Sequence, residues 1–150
     1  MPAFIAFGRI LFAVLFIVSG AGKLLDLPAT TEMIASKVTI PSVVAPYTAQ
    51  AESATGMTTP QLVAILAGVT ELACGVLIAL NIATAFFALL LVAFIIVSTV
   101  YFHDFWNQSA DAARLSLIEA LKNLSLIGAL FVIAGTGGRR GASPIAYQDV

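Results

Sequence analysis

The stretch LVAILAGVTELACGVLIALNIATAFFALLLVAFIIVSTVYF, from Leu62 to Phe102, decides the fold. Glu71 is its only formal charge. As a single helix the stretch would reach about 60 Å at about 1.5 Å per residue, roughly twice the hydrocarbon thickness of a bilayer. The chain must therefore cross, turn and cross back. Asn81 is the one polar break of the right kind near the middle, so the pattern predicts transmembrane helices over 61–80 and 82–102. An ionised carboxylate in hydrocarbon is costly unless it is paired, hydrogen-bonded or protonated, so Glu71 needs a partner or a proton.

Toward the N-terminus, residues 4–21 are apolar apart from Arg9 and span roughly 27 Å as a helix, just enough to cross. Ser19-Gly20-Ala21 also resembles the small-residue cleavage site of a signal peptide. Arg9 lies inside the apolar run rather than before it, which favours a retained helix. Toward the C-terminus, His103-Asp104-Phe105-Trp106-Asn107 closes the third helix, and a fourth is expected over 113–134. The tail 135–150, rich in Gly and Ser, is expected to be flexible.

Residues 24–60 form a polar connection in which Pro28, Pro41, Pro46 and Pro60 rule out one long helix. A short helix over Ala29–Ser36 is consistent with the pattern, and Thr58-Thr59-Pro60 reads as a helix start. Loops of this length are usually functional, so the segment is expected to be a lid or a partner-docking element over one membrane face.

Composition agrees with the pattern. The chain is 60% hydrophobic and 10% charged with a mean hydropathy of +1.02, whereas soluble domains carry about a quarter charged residues. The expected fold is all-α: an integral membrane four-helix bundle with both termini on one side. Arg139, Arg140 and the N-terminal amine, set against Lys23, Lys37 and Arg114, make that side the cytoplasm. A net charge of -1 offers no surface to nucleic acid, and no Lys/Arg cluster suits anionic headgroups. The single cysteine excludes an internal disulfide and a CxxC relay, and the single histidine excludes bis-histidine haem ligation. No metal site is expected, and any redox role must borrow its electron carrier.

Two constellations carry chemistry. Arg9 and Glu71, counted from the facing ends of their helices, lie at about 8 and 14 Å depth, close enough for a long guanidinium to reach the carboxylate. The simpler reading is an intramembrane ion pair that fixes packing, and the functional one is a proton relay or the polar end of a quinone pocket. The second constellation belongs to the opposite membrane face: Lys23 and Asp26 after the first helix, His103, Asp104 and Trp106 after the third, and Glu119, Lys122 and Asn123 in the fourth. A histidine, a lysine and an aromatic wall at membrane depth could hold the two carbonyl oxygens of a quinone and supply protons. The plainer reading for Trp106 and Tyr101 is an interfacial belt with Lys23 snorkelling, and Glu119 with Lys122 at i, i+3 could neutralise each other. Asn123 is expected to hydrogen-bond across the bundle, and Cys74 to be a packing residue.

Four motifs in this order resemble the DoxX family of small four-helix membrane proteins: Arg9 followed by Phe16-Ile-Val-Ser-Gly-Ala-Gly-Lys-Leu24, then Glu71-Leu-Ala-Cys-Gly75, Phe102-His-Asp-Phe-Trp106 and Leu121-Lys-Asn-Leu-Ser-Leu-Ile-Gly128. The resemblance covers nearly all of the chain. This chain departs from the family pattern in a longer first connection and in a hairpin turn without the Gly and basic residue often found there. The resemblance implies a multi-pass protein of a bacterial or archaeal inner membrane, linked in some members to thiosulfate:quinone oxidoreductase and in others to redox-stress complexes. The functional expectation is accordingly a membrane subunit of a quinone-linked oxidoreductase assembly whose redox centre lies on a partner. The competing expectation is a non-enzymatic anchor or scaffold; a small transporter is disfavoured by the lack of repeats. No covalent cofactor is expected. A quinone or lipid is the noncovalent candidate, with the bilayer, a protein partner in a redox complex and further copies of the chain as candidate partners.

Overall fold

A computed structural model describes residues 2–137, and every described element is helical. The order is α1 (Pro2–Leu25), α2 (Leu27–Lys37), α3 (Ala45–Thr55), α4 (Thr59–Ala79), α5 (Thr84–Phe102), a 3-10 turn (Phe105–Asn107) and α6 (Ala110–Thr136). Four of these, α1, α4, α5 continued through Asn107, and α6, are long and apolar enough to cross a membrane. The expected tail partly disappears, because α6 continues to Thr136; Arg139 and Arg140 lie outside the described residues.

α1 extends past the expected stop at Ala21, because Lys23 is neutralised inside the bundle rather than pulled out to water. α1 packs most extensively on α4, and glycine allows it. A methyl group added at Gly20 would sit 2.6 Å from the Gly68 carbonyl oxygen, and one at Gly75 would sit 3.2 Å from the Ala13 carbonyl oxygen. In a bilayer, where apolar surface gains little by leaving lipid, such close backbone approach is what drives helix association. It also fixes the register. With Gly20 against Gly68 and Leu72, and Gly75 against Ala13 and Ile17, α1 is antiparallel to α4 and its first residues overhang the end of α4.

The hairpin turns at Leu80–Ala83. Asn81 (φ 59°) and Ala83 (φ 43°) both take the left-handed conformation, which Asn accepts readily and Ala does not. The Asn81 side-chain oxygen accepts from Thr84 Oγ at 2.9 Å, holding the turn closed. Beyond it α5 and α6 run antiparallel, with Gly137 beside Thr84 and Asn123 donating to Thr99 at 2.9 Å. The buried core gathers Ala13 and Phe16 of α1, Cys74 and Ile78 of α4, Leu91 and Ile95 of α5, and Leu130 of α6. Outward-facing Phe7, Leu11, Val18, Leu66, Phe86, Val97, Leu124 and Val132 remain exposed, as lipid-facing residues should.

The connection 24–60 is mostly helical, more so than the proline spacing suggests. Asp26 caps α2 through the Ala29 amide, Pro28 occupies its first turn, and Thr30 and Ile34 bury against the bundle. α3 buries nothing. It is tied back by Glu52, whose Oε1 accepts from both the amide and the hydroxyl of Thr59 at the start of α4.

Candidate functional site

Glu71 is buried in the middle of α4, and both of its hydrogen bonds come from α1. Lys23 Nζ lies 2.7 Å from Oε2, and Ser19 Oγ donates to the same oxygen at 2.8 Å. Lys23 also donates to Ser19 Oγ at 2.7 Å, which closes a three-membered ring of contacts. Ser19 and Lys23 stand one helical turn apart on the face that the glycines press against α4. The second carboxylate oxygen, Oε1, has no hydrogen-bond partner among the described residues.

The expected Arg9–Glu71 pair is therefore corrected. Helix depths counted from each end assumed that the ends are level, and they are not: the overhang of α1 puts Arg9 beside the α4–α5 turn. Ten residues separate Arg9 from Ser19, about 15 Å along the helix. Arg9 instead has a buried Nε with no partner among the described residues.

The expected separation of two constellations on opposite membrane faces is corrected too. Glu71 and Ser19 share one cleft of about 500 Å³ with Glu119, Lys122 and Asn123 of α6 and Ser98 of α5. Phe16, Phe94, Ile95 and Leu126 supply its apolar walls. The cleft exists because α1 and α6 make no contact comparable to those of α1 with α4 or α5 with α6. Lys122 Nζ is 2.7 Å from Glu119 Oε1, so this pair does neutralise itself, yet the lysine keeps two further N–H donors. Asn123 spends one N–H on Thr99, whose hydroxyl in turn donates to the Ile95 carbonyl at 2.7 Å, and keeps the other.

His103 and Trp106 do not line this cleft. His103 caps the end of α5, its amide donating to the Thr99 carbonyl. Trp106 is 56% exposed, stacked edge-on against Phe105 with ring centroids 5.0 Å apart, and borders a separate apolar groove against α6. A candidate outer pocket built on His103 thus loses its histidine and its aromatic wall but keeps Glu119, Lys122 and Asn123. Lys23 belongs to the site as the partner of Glu71. Ser19 and Ser98 were not anticipated. The spacing of Ser19 and Lys23 around Gly20 is the signal that could have revealed Ser19; nothing marks Ser98.

Among the described residues no group of three or more His, Cys, Asp or Glu side chains could hold a metal ion. What the cleft offers is an acceptor oxygen, several free N–H donors and an apolar slot at membrane depth. Such an arrangement can hold a flat molecule with polar atoms at its ends.

Comparison with known proteins agrees with the architecture. The DoxX family model matches residues 4–104. The inner membrane protein YphA of Escherichia coli (strain K12) is 28% identical over 136 residues, covering 91% of this chain and 84% of that protein. No solved structure matches. With two thirds of its length matched by the family model and four helices able to span a bilayer, the chain belongs to the DoxX family of membrane proteins.

Proposed function

We propose that the chain is the membrane subunit of a quinone-linked oxidoreductase assembly of the bacterial inner membrane, with the redox centre on a partner and the termini in the cytoplasm. The observation that carries this reading is the cleft between α1 and α6. It opens within the membrane-spanning helices, pairs an unfilled carboxylate oxygen with free lysine and amide donors, and has aromatic walls. A quinone held there supplies two-electron carrier chemistry, with the electrons coming from the partner's centre. The chain's part is to bind and orient. Lys122 and Asn123 donate toward one ring oxygen, Ser98 toward the other, and Phe16 and Phe94 enclose the ring. Glu71, braced by Lys23 and Ser19, presents Oε1 as a fixed acceptor at the buried end of the cleft. The inner-membrane assignment follows the name of the Escherichia coli relative.

The test is purification in mild detergent followed by solvent extraction and native mass spectrometry. The wild type should retain a quinone, and the double change Lys122→Met with Asn123→Leu should cut its occupancy about tenfold, the equivalent of about 1.4 kcal/mol of lost polar contact. Lipid chains filling the cleft of the wild type, with no quinone retained, would overturn the reading.

A second reading, a non-enzymatic anchor for a partner, draws on α3. This helix buries no residue, and Tyr47 (71% exposed) and Val43 (81% exposed) stand out from it and its approach. Under that reading, co-purification of the partner survives His103→Ala and Lys122→Ala but is lost when the Pro28–Pro60 segment is shortened. The reverse pattern refutes it.

A further inference from the structure

The seam between α1 and α6 stays open past the first cleft and forms a second at the end of the bundle that carries the α4–α5 turn. This second cleft, about 430 Å³, is lined by Phe4, Ile5 and Phe12 on one wall and Ala129, Val132 and Ile133 on the other, with Arg9 the one charged group among the described residues that line it. The Arg9 Nε is buried and has no hydrogen-bond partner among the described residues. A guanidinium in so apolar a setting is costly unless an anion meets it.

Depth identifies the anion. The register of α1 on α4 sets Arg9 level with the α4–α5 turn, and Thr84 at the start of α5 lies beside Gly137 at the end of α6. A hairpin turn marks where the chain reaches the edge of the hydrocarbon, so Arg9 lies within reach of the phosphate layer. Phe4 and Ile5 line the cleft on the outer side of Arg9, and past Arg9 it continues along Phe12 and Ala129 toward the bilayer midplane. A negative head at arginine depth joined to a long apolar tail is the shape of an anionic phospholipid.

We infer that the cleft beside Arg9 is a binding site for one anionic phospholipid, its phosphate on the guanidinium and one acyl chain between α1 and α6. One arginine does this where a cluster of cations would be needed for a flat surface, because the cleft supplies the tail contacts. The site is independent of the polar cleft and of any quinone bound there.

The test uses the full chain in vesicles of equimolar phosphatidylglycerol and phosphatidylcholine, with retained lipid read by native mass spectrometry after extraction. One arginine near the headgroup layer is worth about a fivefold preference for the anionic lipid. Arg9→Gln should bring the retained ratio down to that of the bulk, Arg9→Lys should keep most of the preference, and Val132→Trp should lower the amount of retained lipid by filling the tail cleft. Excess inorganic phosphate should leave the preference intact. The inference is overturned if the wild type shows no preference, or if Arg9→Gln retains it. It is overturned equally if Val132→Trp retains as much lipid as the wild type, if free phosphate abolishes the preference and so marks a simple anion site, or if a dimer lost in Arg9→Gln shows that a second copy fills the cleft.

Discussion

Replacing Lys23 with Met leaves the Glu71 carboxylate buried with only Ser19 to hold it. Removing one partner of a fully buried ion pair costs about 3–5 kcal/mol. Here the Lys23 side chain is 24% exposed and that of Glu71 8%, and the Ser19 hydrogen bond survives, so the loss should fall to about 2 kcal/mol. The double change Lys23→Met with Glu71→Gln removes both charges and should recover about half of that, so the coupling is about 1 kcal/mol plus whatever Glu71→Gln costs alone. The assay is equilibrium unfolding in mixed micelles with increasing dodecyl sulfate, followed by far-ultraviolet circular dichroism, run as a double-mutant cycle. A parallel cycle of Arg9→Met with Glu71→Gln should be additive within about 0.5 kcal/mol, because the two groups share no partner. Additivity in the Lys23 cycle, or clear coupling in the Arg9 cycle, would refute the assignment of Glu71's partner.

Three further outcomes are expected. Gly20→Ala should destabilise by about 1–3 kcal/mol in the same assay, since its methyl would meet the α4 backbone, which cannot yield as a side chain can, whereas Gly128→Ala, with open space at that position, should be near neutral. Asn123→Leu should cost about 0.6 kcal/mol, the usual worth of a side-chain hydrogen bond between membrane helices, while Thr99 keeps its bond to the Ile95 carbonyl. The third concerns Glu52, whose pKa is lowered from the ordinary 4.5, first by the Thr59 hydroxyl and then by the Thr59 amide. A depressed folded value means that the clasp stabilises α3 above 4.5 and is lost as pH falls through the lower folded value. The protection of the α3 amides, taken relative to their intrinsic exchange rate at each pH, should therefore fall on acidification in the wild type and lose that dependence in Glu52→Gln.

The spans were legible because hydrophobic length is a strong signal: nothing but a hairpin accommodates Leu62–Phe102, and Asn81 lies at its turn. The partner of Glu71 was not legible from depth. Glu71 sits so near the middle of its helix that arginine from one end and lysine from the other look equally able to reach it. Register decided between them, and register depends on which glycines touch. Gly20, Gly68 and Gly75 do; Gly8, Gly22, Gly128 and Gly135 meet nothing, and composition does not distinguish the two groups. The cleft shared by Glu71 and Lys122 was hidden for the same reason, since it depends on α6 standing off from α1. His103 and Trp106 looked like site residues by chemistry alone, but the end of α5 carries them to its cap and to a different groove. The helices of the 24–60 connection were only partly visible, because Pro28 and Pro46 read as breaks although each opens a helix.

Cys74, 1% exposed at the heart of the bundle, is the chain's only thiol. Sealed there, it is closed to water-soluble maleimides, which need an exposed thiolate. The wild-type protein is thus its own silent background for labelling. A cysteine placed at exposed Ser53 or Ser109 would be the sole reactive group, and an impermeant reagent added to one side of the membrane would report which face carries both α3 and the loop before α6, since the α4–α5 hairpin returns the chain to the face it left. A residue whose part in the fold is only to fill space makes the molecule's orientation directly measurable.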